Sequence, residues 1–310
     1  MQQPDPVKRD ERYSISTRLR DYMLLVKFSL TILVVFSAVI SYLLAPKVVA
    51  FDWSMIGILF LAGFFVTGSA NTINQVVEKD TDALMKRTAK RPIASGRMSE
   101  TEGWIFAVLS GVVGVGLLWY YFNGLSAGMA AFSLFLYAFI YTPLKKVNSI
   151  SVLVGAFPGA LPCLIGFAAG NDTLWIGEHG TRDLGGWAMF AIQFFWQFPH
   201  FWAIAWIAHR DYEAAGFKLL PSVEGPTKYS AIQSIIYSVL LIPVGLLPYF
   251  TGLTGWVSLL IVLVANLGMV YLSVRLYYDM EVKAARRVMF GSYFYLMVVF
   301  FALLADKIGQ

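Results

Sequence analysis

Along the chain, long apolar runs alternate with polar joints, most of them short. Nine apolar windows stand out, at approximately 27–45, 53–75, 103–121, 125–143, 150–170, 187–208, 230–250, 255–276 and 287–305. Each is about 18 residues or more, long enough for a helix to cross a hydrocarbon core of about 30 Å. In such a core every backbone N–H and C=O must find a partner within the segment, which makes the helix the expected form. The pattern predicts an all-α, polytopic membrane protein with nine transmembrane helices. Residues 1–22 are polar and charged, with no apolar stretch leading to a small-residue cleavage site. They read as a cytoplasmic N-terminal tail before an uncleaved first helix. Residues 23–310 read as a single transmembrane domain.

The basic residues orient the bundle. With the N-terminus in the cytoplasm, 20 of the 24 Lys and Arg fall on inside segments. Lys47, Arg182 and Lys307 fall outside, and Lys27 is left within the first helix. This is the positive-inside asymmetry of a nine-span protein. It accounts for the net charge of +5 with no nucleic-acid partner. Only 14% of residues are charged, against about 25% in soluble domains. The lipid bilayer is therefore the first partner implied. The tail also carries acids, which argues against a mitochondrial transit peptide and favours a bacterial inner membrane. The single cysteine, Cys163, excludes an intrachain disulfide.

The two longest polar stretches, about 76–102 and 209–229, follow the second and sixth helices on the cytoplasmic side. Their four-helix offset predicts that they face each other, as in an internal duplication. In the first, Asn74, Glu78 and Asp82 are spaced i, i+4, i+8, which puts them on one helical face, with Asp80 out of phase. Two carboxylates and an amide oxygen suit Mg²⁺, which takes one or two carboxylates together with waters and substrate phosphate. Lys86, Arg87, Lys90 and Arg91 follow, and such cations grip phosphate. The two groups together can hold a magnesium diphosphate. Any cytoplasmic loop gathers cations, so the cations alone decide little. Asn74 and Glu78 lie inside or at the edge of an apolar run, where ionisable groups are costly and mark function.

Two further regions aim chemistry at the same opening. Residues 194–221 read FFWQFPHFWAIAWIAHRDYEAAGFKLLP and carry Gln197, His200, His209, Asp211 and Glu213 among Trp196, Phe198, Phe201, Trp202 and Trp206. Aromatic faces stabilise a passing cation, and they also form interfacial belts. Pro199 predicts a local helix break that would expose His200 to a cavity. For His200 and His209 the open readings are buried hydrogen-bonding residue, metal ligand, and general acid or base. Tyr137, Tyr141 and Lys145, again i, i+4, i+8, would form a third wall, although a lysine at a helix end also snorkels. Pro158 and Pro162 predict a kinked fifth helix around an internal cavity.

On these residues the chain resembles the UbiA-type intramembrane prenyltransferases, and within them the branch that acts on haem. The superfamily signature Asn-x-x-x-Asp/Glu-x-x-x-Asp is matched by Asn74, Glu78 and Asp82. The haem branch's D-A-L-M-K-R-T-x-x-R-P is matched by Asp82 to Pro92, and its W-Q-x-P-H-F-W by Trp196 to Trp202. Its D-Y-x-x-A-G-x-x-x-L-P is matched by Asp211 to Pro221, and G-A-F-P-x-x-L-P-x-L-I-G by residues 155–166. The likeness spans about residues 22–305. It implies nine helices around a central cavity, with Mg²⁺ as cofactor and farnesyl diphosphate and haem B as substrates. In the implied chemistry Asn74, Glu78 and Asp82 hold the metal on the diphosphate. Lys86, Arg87, Arg91 and Lys145 offset charge on the leaving group. Tyr137, Tyr141, Trp196, Gln197, His200, His209 and Asp211 surround the haem and the allylic cation. Oxidase-assembly proteins are implied as further partners. Other branches carry a second aspartate pair after the sixth helix, where this chain has only Asp211 and Glu213.

Three other activities fit parts of the pattern. One is prenyl transfer to an aromatic quinone precursor. Another is transport of an anionic lipid precursor. The third is a b-type cytochrome using His200 and His209, whose nine-residue separation makes a shared haem awkward.

Overall fold

The computed structural model describes residues 15–222 and 224–309. A short helix α1 (Ile15–Leu25) meets α2 (Phe28–Leu44) at a bend of 52°. There follow α3 (Trp53–Val77), the single-turn α4 (Lys79–Leu84), α5 (Glu100–Tyr121) and α6 (Gly124–Phe135). α6 continues through a π-helical segment (Leu136–Tyr141) into α7 (Thr142–Leu144). Next come α8 (Ser151–Asn171), α9 (Gly185–Ile207), α10 (His209–Ala214), α11 (Lys228–Gly245) and α12 (Leu247–Phe250). Two long helices, α13 (Trp256–Asp279) and α14 (Val282–Ala305), close the described chain. Polar side chains satisfy the first orphan amides of several helices. Asp52 caps α3, Ser99 caps α5, Asn123 caps α6 and Thr227 caps α11.

Every apolar window has become a long helix, but their hydropathy is unequal. Among the described residues seven helices are long and apolar enough to cross a membrane, or eight if the bent α1–α2 pair is one span. α9 is 23 residues long and falls short because Gln193, Gln197, Pro199 and His200 interrupt it. The anticipated break at Pro199 does not occur. α9 runs unbroken through it, and His200 is 5% exposed. α8 likewise remains one helix through Pro158 and Pro162. Pro162 has no N–H to offer the Pro158 carbonyl, which accepts instead from Ser133 Oγ on α6 at 3.4 Å.

α8 is the central helix. Two-thirds of its apolar window is buried, against 28–39% in the other spans. It packs on α2, α6 and α9, and its contact with α2 is backbone to backbone. A Cβ on Gly166 would fall on the Ala38 carbonyl, so only glycine lets the two helices approach this closely. The far end of α2 is clasped by the chain after α14. Lys307 Nζ donates to the carbonyls of Leu43, Ala45 and Val48 at 2.8, 2.9 and 2.6 Å, tying the helix end to the turn that follows it.

Gly166→Ala should therefore destabilise the detergent-solubilised protein by about 1–3 kcal/mol, read as a lower unfolding midpoint. Gly116→Ala, on α5 where an added Cβ meets nothing within 4 Å, should leave the midpoint unchanged or raise it slightly.

Candidate active site

The C-terminal end of α3 gathers the acids. α3 ends at Val77, Glu78 caps it with φ −95° and ψ 14°, and Asp82 belongs to α4. The helical phase survives this break, because Glu78 N donates to Asn74 O at 3.0 Å and Asp82 N to Glu78 O at 2.7 Å. The one-face expectation for Asn74, Glu78 and Asp82 thus holds across two helices. All three are buried, at 1%, 6% and 0% exposure.

Each of the three meets its own cation. Lys145 Nζ donates to Glu78 Oε1 at 2.7 Å. Arg91 Nη1 reaches both Asp82 oxygens, at 2.8 and 2.7 Å. Lys27 Nζ donates to Asn74 Oδ1 at 2.8 Å. Sequence reasoning singled out Lys145 and Arg91 but passed over Lys27. That lysine adopts a left-handed conformation, φ 50° and ψ 57°, at the corner where α1 turns into α2. Strain of this kind in a non-glycine residue is retained where surrounding structure demands it. The available signal was a lone lysine inside an apolar window.

Arg87 stands apart from these pairs; it is exposed and lies against the second polar loop. Its Nη2 donates to Tyr212 Oη at 3.0 Å, and its guanidinium sits 5.7 Å from that ring's centroid. Met85 packs with Ala215 and Phe217, so the two polar loops do face each other. Lys86 is exposed and makes no ion pair among the described residues. On α10, Asp211 is half-buried, with no side-chain hydrogen bond among the described residues. His209 packs on Gly225, where a Cβ would lie 2.5 Å from Nε2. Neither residue is shown in contact with the acids.

Tyr137, Tyr141 and Lys145 do not follow one α-helical face. Residues 136–141 form a π-helix, in which Thr142 N and Oγ1 both turn back to the Tyr137 carbonyl. Such segments recur at functional sites. The two tyrosine rings lie 5.2 Å apart, and the Lys145 ammonium stands 4.6 Å over the Tyr141 ring. Tyr137 also lines a partly open apolar cavity of about 100 Å³ between α2, α3, α6 and α8. Leu30, Val34, Ala38, Gly63, Thr67, Asn71, Pro158 and Pro162 contribute to its wall. Asn71 lies one turn below Asn74 on α3, so the cavity opens beneath the acids.

Of the W-Q-x-P-H-F-W residues all but Phe201 are buried, and the polar ones reach neighbouring helices. Trp196 Nε1 donates to Ser292 O at 2.7 Å, and Gln197 Nε2 to the carbonyls of Ala156 and Gln193 at 3.0 and 3.1 Å. His200 Nδ1 lies 2.7 Å from Ser292 Oγ on α14.

The donor set fits a divalent cation shared with a phosphate. Among the described residues no cluster of three or more His, Cys, Asp or Glu could cage a metal alone. Glu78 and Asp82 supply two carboxylates, leaving the remaining positions to ligand oxygens and water, as Mg²⁺ prefers. Asn74 presents something different from the anticipated ligand oxygen. Its Oδ1 is taken by Lys27, and its buried Nδ2 has no partner, a donor suited to a phosphate oxygen.

The structure resembles that of a UbiA homologue from Archaeoglobus fulgidus bound to GPP and Mg²⁺, with a TM-score of 0.64 at 14% identity, covering 92% of this chain and 99% of that one. In sequence it is 43% identical to the protoheme IX farnesyltransferase of Flavobacterium johnsoniae, over 95% of this chain and 96% of the relative. It is 40% identical to the enzyme of the same name from Cytophaga hutchinsonii, over 95% and 100% respectively. The sequence pattern of the UbiA prenyltransferase family matches residues 34–303, and with relatives this similar over nearly its whole length, the chain belongs to that family.

Proposed function

We propose that this protein transfers the farnesyl group of farnesyl diphosphate to a vinyl group of haem B, giving haem O and diphosphate. The observation that carries the reading is the set of buried acid–cation pairs standing over an apolar cavity. Relatives of the same name across nearly the whole chain support the choice of substrates.

Glu78 and Asp82 would hold Mg²⁺, which when bound neutralises diphosphate oxygens and stabilises the leaving group. Lys145, Arg91 and Lys27 are already aimed at this spot and would exchange part of their pairing for phosphate oxygens. Asn74 Nδ2 adds a neutral donor. The farnesyl chain would lie in the cavity, with its C1 near Tyr137 and Tyr141. When the C1–O bond breaks, its electrons leave with diphosphate, and the two ring faces stabilise the allylic cation. The vinyl π electrons then form the new C–C bond. Water adds to the cation left on the haem side and loses a proton. Apolar walls keep water from capturing the allylic cation first.

In this reading Trp196, Gln197 and His200 border the haem, and Arg87 and Lys86 act at the rim. We place the N-terminus in the cytoplasm and all nine long helices across a bacterial inner membrane, α9 included. Its polar positions face α8 and α14 and are paired there. The charge asymmetry of the loops supports this orientation.

Membranes containing the protein should convert haem B, farnesyl diphosphate and Mg²⁺ into a haem heavier by one farnesyl group plus water, detected by mass. Chelation of Mg²⁺ should abolish the product. Prenylation of a phenolic acceptor, with no haem product, would move the chain to a quinone-type reaction. Asp82→Ala and Asn74→Ala should lower turnover about a hundredfold or more. Asp82→Ala, which leaves Arg91 without its partner, should also lower the unfolding midpoint, while Asn74→Ala should leave it close to that of the parent protein. Lys27→Met should weaken turnover about tenfold or more, measured at saturating haem with farnesyl diphosphate varied. Undiminished turnover would remove Lys27 from the diphosphate site.

A further inference from the structure

His200 lies at the seam of α9 and α14, and its surroundings define its chemical state. Ser292 Oγ donates its only proton to Met289 O at 2.6 Å. The 2.7 Å contact between Ser292 Oγ and His200 Nδ1 must then run the other way, with Nδ1–H donating and the hydroxyl accepting. In its neutral form an imidazole protonated on Nδ1 leaves a bare lone pair on Nε2. Nε2 makes no hydrogen bond among the described residues, although the side chain is 5% exposed. The Trp196 indole stacks on the ring at 4.8 Å and 15°, and is itself tied to the Ser292 carbonyl. α14 thereby fixes both the tautomer and the plane of the ring. An oxygen acceptor on Nδ1–H is the arrangement that orients a metal-ligating histidine and raises the basicity of its other nitrogen.

We infer that His200 Nε2 is an axial ligand to the iron of the haem substrate. The inference rests on the proposed reaction for the identity of the acceptor, and it adds how that acceptor is held. Of the two ring nitrogens only Nε2 is left without a partner among the described residues, and an iron–nitrogen bond would supply one. Phe201 and Tyr293 flank the ring and are 37% and 36% exposed, so the rim of the seam is an outward-facing aromatic surface that a flat apolar molecule from the bilayer would meet first. Tyr293 stands edge-on to the imidazole at 4.7 Å, which suits a porphyrin packed beside it. An iron–nitrogen bond would fix the porphyrin plane relative to α9, restricting which vinyl edge can turn toward the farnesyl cation.

The test uses the full-length protein in detergent, with ferric haem B and iron-free protoporphyrin IX as probes. With the parent protein, ferric haem should give the Soret band and electron paramagnetic resonance of a histidine-ligated iron and bind at least about tenfold tighter than the iron-free ring. His200→Gln should lose both the signature and the preference for iron while still binding the iron-free ring. Added imidazole should restore the signature to His200→Gly. The inference is overturned if His200→Gln keeps the parent spectrum and affinity, if iron makes no difference to binding by the parent protein, or if the parent shows no bound-haem band. Should the variants not fold, the comparison of the two probes on the parent protein decides. Farnesyl transfer by the parent protein, assayed separately, distinguishes failure of this ligation from failure of the reaction itself.

Discussion

Two carboxylates buried at the C-terminal end of a membrane helix must be neutralised, and much of the polar architecture answers that requirement. Glu78 and Asp82 draw Lys145 from the end of α7 and Arg91 from the α4–α5 loop. Removing one partner from such a pair costs about 3–5 kcal/mol, yet an apolar replacement of the whole pair is often neutral or stabilising. Stability alone therefore does not explain why the pairs are there. Counted with Lys27, three basic side chains surround two acids. An anion brought with its own divalent cation would meet both halves of that arrangement.

The apolar half of the site follows from packing. α8 can lie in the middle of the bundle because Gly166 lets it touch α2, and its two prolines line the cavity while a neighbouring serine serves a freed carbonyl. The same economy appears at the seam of α9 and α14, where Ser292 satisfies His200 through its hydroxyl and Trp196 through its carbonyl. Interhelical hydrogen bonds of this kind replace the hydrophobic driving force that is absent between helices in lipid.

Much of this was legible in the sequence because membrane helices are written in long runs. The windows at 53–75 and 187–208 fall within a few residues of α3 and α9. The acidic face was legible because an i, i+4, i+8 spacing stays in phase even where α3 gives way to α4. Three features were not. Lys27 looked like a residue stranded in the first apolar run, since nothing local announces a left-handed corner. Pro199 promised a break, but helices packed on every side hold α9 straight. Arg87 belonged to an attractive cation run, yet its partner Tyr212 lies 125 residues away, beyond any local pattern.

The π-helical segment at Leu136–Tyr141 has a consequence for how this chain tolerates change in length. It is equivalent to one residue accommodated within an otherwise α-helical rod. Each residue of an α-helix turns the chain by about 100° and advances it by 1.5 Å. Loss of a single residue within this wide turn would let the rod become regular with Lys145 still close to its present angle. Loss of one from the α-helical turns beside it would instead swing Lys145 by more than a quarter turn, away from Glu78. The wide turn is therefore the place in this rod where the chain can shorten by one residue and the acid keep its counter-charge.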